Sequence, residues 1–181
     1  MPYDKDILVE KAKEFAHEAH DFILQKRKYT GAPYWVHTDE VAAIVSTVTN
    51  DPEVIAAAHL HDVVEDVNIE PYTAQTIYDL FGSRVANLVI ELTNRYTKEN
   101  VPTMNRSIRK LREAERLAKI SYDAQTIKYA DIIANTSDIS KSDPKFAPKY
   151  LSEKREILKV MTGGHPVLFG RASAQVFQKN D

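Results

Sequence analysis

The sequence predicts an all-α protein, a bundle of roughly eight to nine helices. Apolar residues recur at three- and four-residue steps along most of the chain. No segment sustains the period-two alternation of a half-buried strand. The 5 glycines and 8 prolines among 181 residues fall between the periodic segments, as punctuation rather than as a linker.

The elements follow in order. Ile7, Ala12, Phe15, Ala16, Ala19, Phe22 and Ile23 mark a first helix from about Asp4 to Lys26, ended by Thr30-Gly31-Ala32-Pro33. A second is expected from Thr38 to Thr49. A third starts at Asp51-Pro52-Glu53, where an N-cap, a proline at the first helical position and an early acid coincide. It carries AAAHLHDVVED. Thr73 to Leu80 reads as a short helix closed by Gly82, and Ser83 as the cap of a helix reaching Thr93. VANLVIEL has strand-like composition, yet its neighbours favour a buried helix. After a polar loop from Arg95 to Pro102, Met104 to Ile120 is helical and rich in arginine, and Asp123 caps a helix carrying IKYADIIANTSDI. Two last helices, Pro148 to Met161 and Val167 to Gln178, flank GGHP, which reads as a plain turn. All of it is expected to form one domain, residues 1–181.

Composition excludes several classes. Lys+Arg number 24 against Asp+Glu 26, a net charge of -2, so nothing global points to nucleic acid or an anionic membrane. With no cysteine, disulfides, thiolate nucleophiles and iron–sulfur clusters are excluded together. Any metal must sit on N and O ligands. The charged N-terminus lacks the apolar core of a signal peptide and no apolar run reaches membrane-spanning length, which reads as a soluble cytoplasmic protein.

The chemistry gathers around His61 and Asp62. Adjacent helical positions differ by about 100°, so both side chains can lean toward a point between them. A metal needs further ligands from other elements, and His37 at a helix start and Asp131 in a later helix are the suppliers. Such a set suits Mn, Fe, Zn or Mg. Asp131 lies between Ala130 and Ile132-Ile133, where an unpaired carboxylate would be costly and a metal ion would remove the cost. His17, His20 and His165 read as surface or satisfied core residues. His59 points away from any site that His61 faces and is expected to pack or reach solvent.

RKYTGAPYWVH at Arg27–His37, HDVVED at His61–Asp66, FGSRVANLVIELTN at Phe81–Asn94 and KYADIIAN at Lys128–Asn135 occur in that order. Together they resemble the hydrolase domain of Rel/SpoT-type enzymes and the small alarmone hydrolases, over about residues 7–135. The resemblance implies an HD-fold domain with one Mn²⁺ held by His37, His61, Asp62 and Asp131, and catalytic acids Glu65 and Asp66. It implies that Asn135 contacts the nucleotide. The implied reaction removes the 3′-pyrophosphate of ppGpp or pppGpp, the alarmones of the stringent response, giving GDP or GTP and pyrophosphate. Departures are Thr38 for the family's proline, Ile132 for a lysine, Thr136 for a leucine, and a loop before His37 one residue longer. No synthetase segment is present, so alarmone should be degraded and not made.

A divalent cation would activate water against phosphorus. If the helix continues, Glu65 lies four residues after His61, on the metal-facing side, where it would manage the water's proton while Asp66 orients water or substrate. Phosphate contacts are expected from Arg27 and Lys28, and from Arg106 and Arg109 on an otherwise solvated helix face. Tyr34, Trp35 and Tyr96 could stack on a base, though such aromatics more often pack in a core. Alternatives are a related phosphohydrolase acting on (p)ppApp or NADPH, and a catalytically silent nucleotide-binding module. Nucleic-acid and membrane partners are not expected.

Overall fold

A computed structural model of the protein describes residues 5–137 and 139–177. It separates into two compact units, residues 1–93 and 94–181. Ten α-helices and one π-helical turn occur among the described residues, with an isolated β-bridge between Lys26 and Pro33 and no strand. The tenth is the single turn α8, too short to leave a periodic pattern. None of these helices is long and apolar enough to cross a membrane.

The first unit holds α1 (Lys5–Phe22), α2 (Trp35–Ser46), α3 (Pro52–Leu60), the π turn (Val63–Val67), α4 (Ala74–Phe81) and α5 (Ser83–Leu92). Helix α1 packs on α2, α3 and the π turn, and α3 also meets α2 and α5. Its buried stripe is small, Ala12, Ala16 and Ala19, as is that of α3, Ala56, Ala57 and Ala58, which lets the two backbones approach closely. The expected start of α1 at Asp4 lies outside the described residues. Its end comes four residues earlier than periodicity suggests. The Gln25 amide donates to the His20 carbonyl at 3.0 Å, and Leu24 takes a left-handed conformation (φ 54) that stops the helix without glycine. The segment 23–34 then folds back, closed by Arg27 N–H to the Ala32 carbonyl at 2.8 Å and by Gly31 at φ 70.

Helix α3 starts as expected. The Asp51 carboxylate accepts from the Glu53 amide at 3.0 Å, and Pro52 occupies the first turn. Arg84 Nη1 donates to Asp51 and Glu53 at 2.8 Å each. Burial works to raise the Asp51 carboxyl, but the Arg84 guanidinium and the Glu53 amide outweigh it and hold its pKa below the usual aspartate value. That contribution is present above the unfolded pKa near ~4 and is lost as pH falls through the lower folded value. Asp51→Ala should therefore destabilise by about 1 kcal/mol at neutral pH, read by urea unfolding, with the difference shrinking below pH ~4. An unchanged midpoint at pH 7 would contradict the cap. Gly82 (φ 88) ends α4 and is also the N-cap of α5, so Ser83 is the first residue of that helix rather than its cap.

The second unit holds α6 (Arg106–Leu117), α7 (Tyr122–Thr136), α8 (Ile139–Ser142), α9 (Ala147–Val160) and α10 (Pro166–Phe177). The expected end at Gln178 lies outside the described residues. Helix α6 packs on α9, and α10 on both α7 and α9. Asn105 caps α6, and Ser121, not Asp123, caps α7. Eleven of the 15 residues of α7 are buried, so it is the unit's central helix. GGHP proves more than a plain turn. Gly163 N–H donates to Gln125 Oε1 at 2.7 Å, Gly164 N–H to the Tyr129 hydroxyl at 3.3 Å, and His165 N–H to Thr126 Oγ1 at 2.9 Å, which docks the start of α10 onto α7.

Candidate metal centre

Three of the four expected ligands converge. His37 stands in the first turn of α2, which begins at Trp35 instead of Thr38, and is fully buried. His61 and Asp62 follow α3 directly. One donor atom from each of His37, His61 and Asp62 lies within 4.8 Å of the others. Asp62 Oδ2 is 3.1 Å from His61 Nε2 and 3.7 Å from His37 Nε2, and the imidazole centroids are 5.4 Å apart. His61 Nδ1 sits 2.8 Å from the Ala58 carbonyl, a contact that needs its proton there and leaves Nε2 as the lone-pair donor facing the group. Two buried imidazole nitrogens and a carboxylate oxygen fit a first-row divalent cation.

Asp131 belongs to the second unit. It is buried on α7, where Lys128 Nζ donates to Oδ2 at 2.7 Å and Asn135 Nδ2 to Oδ1 at 2.5 Å. Two side chains of its own helix thus hold this carboxylate. Asn135, expected against nucleotide, donates to Asp131 from one turn further along α7.

Glu65 does not sit on a continuing α-helix. Helix α3 ends at Leu60, Asp62 turns with φ -99 and ψ -6, and a π-helical turn follows in which Asn68 N–H bonds the Val63 carbonyl at 3.2 Å. The i,i+4 argument from His61 therefore fails, and the wider turn decides where Glu65 and Asp66 point. Asp66 Oδ2 accepts from Gln25 Nε2 at 2.8 Å, and Gln25 Oε1 lies 2.7 Å from His20 Nδ1. This His20–Gln25–Asp66 chain was not visible in the sequence, where His20 reads as a surface or satisfied core residue. Burial holds the His20 imidazole below the usual range. Tyr34, a candidate for base stacking, donates its hydroxyl to Asp62 Oδ2 at 2.6 Å instead. Since Tyr34 N–H also bonds the Gln25 carbonyl at 3.0 Å, one folded-back segment places a donor on each of two site acids.

Burial of the Asp66 carboxyl, and then the Asp62 charge beside it, push its pKa up to about 7. A carboxyl raised in the folded state helps folding below its unfolded pKa, and that help is lost as pH rises through about 7. In EDTA-treated protein, Asp66→Asn should raise the urea midpoint at pH 8, with the gain vanishing as pH falls toward ~4. Equal midpoints at pH 8 would contradict the shift.

His59 packs, as expected, but not among apolar groups. Its Nδ1 is 3.1 Å from Asp39 Oδ1, which His17 Nε2 approaches at 3.0 Å, and Trp35 stacks on His17 at 4.3 Å rather than facing the centre. Burial pushes His59 down to about 4 despite Asp39. This node joins α1, α2 and α3. Arg27 and Lys28 lie on the folded-back segment, where Lys28 Nζ is 3.2 Å from the Tyr29 hydroxyl. Arg106 is held by Glu153 at 2.8 and 2.9 Å, and Arg109 Nη1 donates to the Met104 carbonyl at 2.7 Å. The Tyr96 amide donates to Asn94 Oδ1 at 2.8 Å.

Residues 12–159 match the HD domain family. The chain belongs to that family. A guanosine-3′,5′-bis(diphosphate) 3′-pyrophosphohydrolase of Xenopus tropicalis, MESH1, is 33% identical over 179 residues, 94% of this chain and 93% of that protein. An Aquifex aeolicus enzyme of the same name is 44% identical over 85 residues, which are 47% of this chain but 11% of that longer protein. Among solved structures, a metazoan SpoT ortholog that hydrolyses ppGpp superposes with TM-score 0.79 at 27% identity, covering 97% of this chain and 95% of that one. The Listeria monocytogenes protein lmo0812 superposes at 0.64 with 25% identity, over 82% and 96%.

Proposed function

We propose that residues 1–181 act as one HD domain that hydrolyses the 3′-pyrophosphate of ppGpp and pppGpp, releasing GDP or GTP and pyrophosphate. The observation that carries this is the convergence of His37, His61 and Asp62 in an HD-family chain that matches a named ppGpp pyrophosphohydrolase along nearly its whole length. His37, His61 and Asp62, with Asp131 as fourth ligand by family resemblance, would hold one divalent cation, Mn in this reading. Such a cation, when bound, supplies Lewis acidity toward phosphoryl oxygen and lets water ionise near neutral pH.

The chain's own groups do the rest. In the reaction a water oxygen bonds to the phosphorus beside the 3′-oxygen, the bond from that phosphorus to the 3′-oxygen breaks, and the 3′-oxygen takes a proton. Tyr34 donates to Asp62 Oδ2 and Gln25 to Asp66 Oδ2, which fixes both carboxylates. Asp66 and its partner acid Glu65 would move the proton between the attacking water and the leaving 3′-oxygen, each contributing roughly 10²–10⁴-fold. Arg27, Lys28, Arg106 and Arg109 supply cations to the substrate phosphates, and Asn135 holds Asp131 toward its role.

Mn²⁺-loaded protein incubated with ppGpp, pppGpp, pppApp and NADPH, with products resolved by chromatography, tests the reading. Pyrophosphate release from ppGpp is expected. Orthophosphate from NADPH with ppGpp untouched would overturn it.

A further inference from the structure

Behind the two ligand histidines, helices α1, α2 and α3 meet at a second polar cluster that the mechanism does not use. Asp39 Oδ1 lies 3.0 Å from His17 Nε2 and 3.1 Å from His59 Nδ1, and the Trp35 ring stacks on His17 with centroids 4.3 Å apart. His59 is only 6% exposed, so its contact with Asp39 is made at the packed junction of α2 and α3.

The register of these residues ties them to the centre. Trp35, His37 and Asp39 follow one another at two-residue steps on α2. Each such step turns about 200° around the axis, so Trp35 and Asp39 share one face and His37 takes the opposite one. His59, in the last turn of α3, stands two residues before His61, which keeps helical angles at φ -58 and ψ -31, so it too faces away from its ligand neighbour. Helices α2 and α3 are therefore joined at two places, by His37, His61 and Asp62 on one side and by Asp39 and His59 on the other.

The His61 ring does not adjust independently of its helix. Its Nδ1 is 2.8 Å from the Ala58 carbonyl, so Nε2 moves as α3 moves. His37 is fully buried in the first turn of α2. The separation of the two imidazoles, 5.4 Å between centroids, thus follows the placement of α2 on α3. Metal–ligand bonds tolerate only about 0.2 Å of error, so a contact that fixes this placement acts on a cation without touching it. Apolar packing at the same spot would be non-directional, whereas an oxygen between two ring nitrogens sets both distance and rotation.

We propose that Asp39 and His59 are positioning residues that set the spacing of the His37 and His61 donors for a divalent cation, with His17 holding Asp39 from α1. This role rests on the metal-dependent reading above and holds for any substrate of the centre.

The test titrates EDTA-treated full-length protein with Mn²⁺ by calorimetry and records the visible absorption of the Co²⁺-loaded form, whose bands report the geometry of the donors. Asp39→Leu should weaken Mn²⁺ binding about tenfold or more and shift the bands at saturating Co²⁺, with helicity unchanged. Asp39→Asn keeps an oxygen between the two imidazoles and should stay within about threefold of wild type. His59→Leu should reproduce Asp39→Leu from the other helix, and it decides the matter if Asp39→Leu fails to fold. Leucine variants that bind Mn²⁺ within about twofold of wild type overturn the role. So does weaker binding with an unchanged Co²⁺ spectrum, which is the mark of a loosened fold rather than of displaced donors. An asparagine variant no better than the leucine one overturns the oxygen bridge and the role with it. Wild-type protein that leaves ppGpp intact, while the variants show these shifts, would sink the nucleotide reading and spare the positioning role.

Discussion

Asp62→Asn is expected to abolish cation binding at the centre and to lower hydrolysis by on the order of 10³-fold, because several kcal/mol of charge stabilisation go with the cation. The substitution is nearly isosteric. The Tyr34 hydroxyl, which donates to Oδ2 at 2.6 Å, retains an amide oxygen to bond, so the fold should be undisturbed. What disappears is the negative charge 3.1 Å from His61 Nε2 and 3.7 Å from His37 Nε2, against which a divalent cation would be balanced. Metal content after dialysis, circular dichroism and turnover should therefore separate. Normal helicity with stoichiometric metal lost and turnover lost is the expected pattern, and a variant that keeps metal and rate would show that Asp62 is not a ligand.

Gly164→Ala should be the most damaging single methyl in the second unit, destabilising by about 3 kcal/mol and lowering Tm by roughly 5–10 °C. A β-carbon there would lie 2.6 Å from Tyr129 Cε2, 2.9 Å from Gln125 Cβ and 2.9 Å from the Thr126 backbone nitrogen. The last is main chain of the buried central helix and cannot swing aside. The segment would have to lift, and with it three hydrogen bonds: Gly163 to Gln125, Gly164 to Tyr129 and His165 to Thr126. Gly163→Ala is the internal control. Its β-carbon would meet the Gln125 amide nitrogen at 3.1 Å, the far end of a flexible side chain, so a much smaller loss is expected. Thermal unfolding of the pair reads the contrast, and equal midpoints would mean that α10 is not docked through this segment.

Helix existence was legible because amphipathic spacing and caps such as Asp51-Pro52 are local signals. Helix ends were less so. Leu24 stops α1 in a left-handed conformation that no glycine announces, and Gly82 caps two helices at once. At the site, His37, His61 and Asp62 could be named from motif and spacing. The π turn could not, since it depends on one displaced hydrogen bond, and it removes the helical register from which the position of Glu65 had been inferred. The roles of His20, Gln25 and Tyr34 were hidden for a different reason. They act through contacts 28 to 41 residues away in sequence or through one another, and a lone glutamine in a loop carries no local signature. The burial of Asp131 was legible from its apolar neighbours, whereas its bonds to Lys128 and Asn135 were not.

A cation held between imidazole and carboxylate donors would be seen directly by anomalous diffraction at the Mn edge from Mn²⁺-soaked crystals. One strong peak within bonding distance, about 2.0–2.3 Å, of His37, His61, Asp62 and Asp131 donors is the predicted result. A peak elsewhere, or one that leaves out both imidazoles, would contradict it.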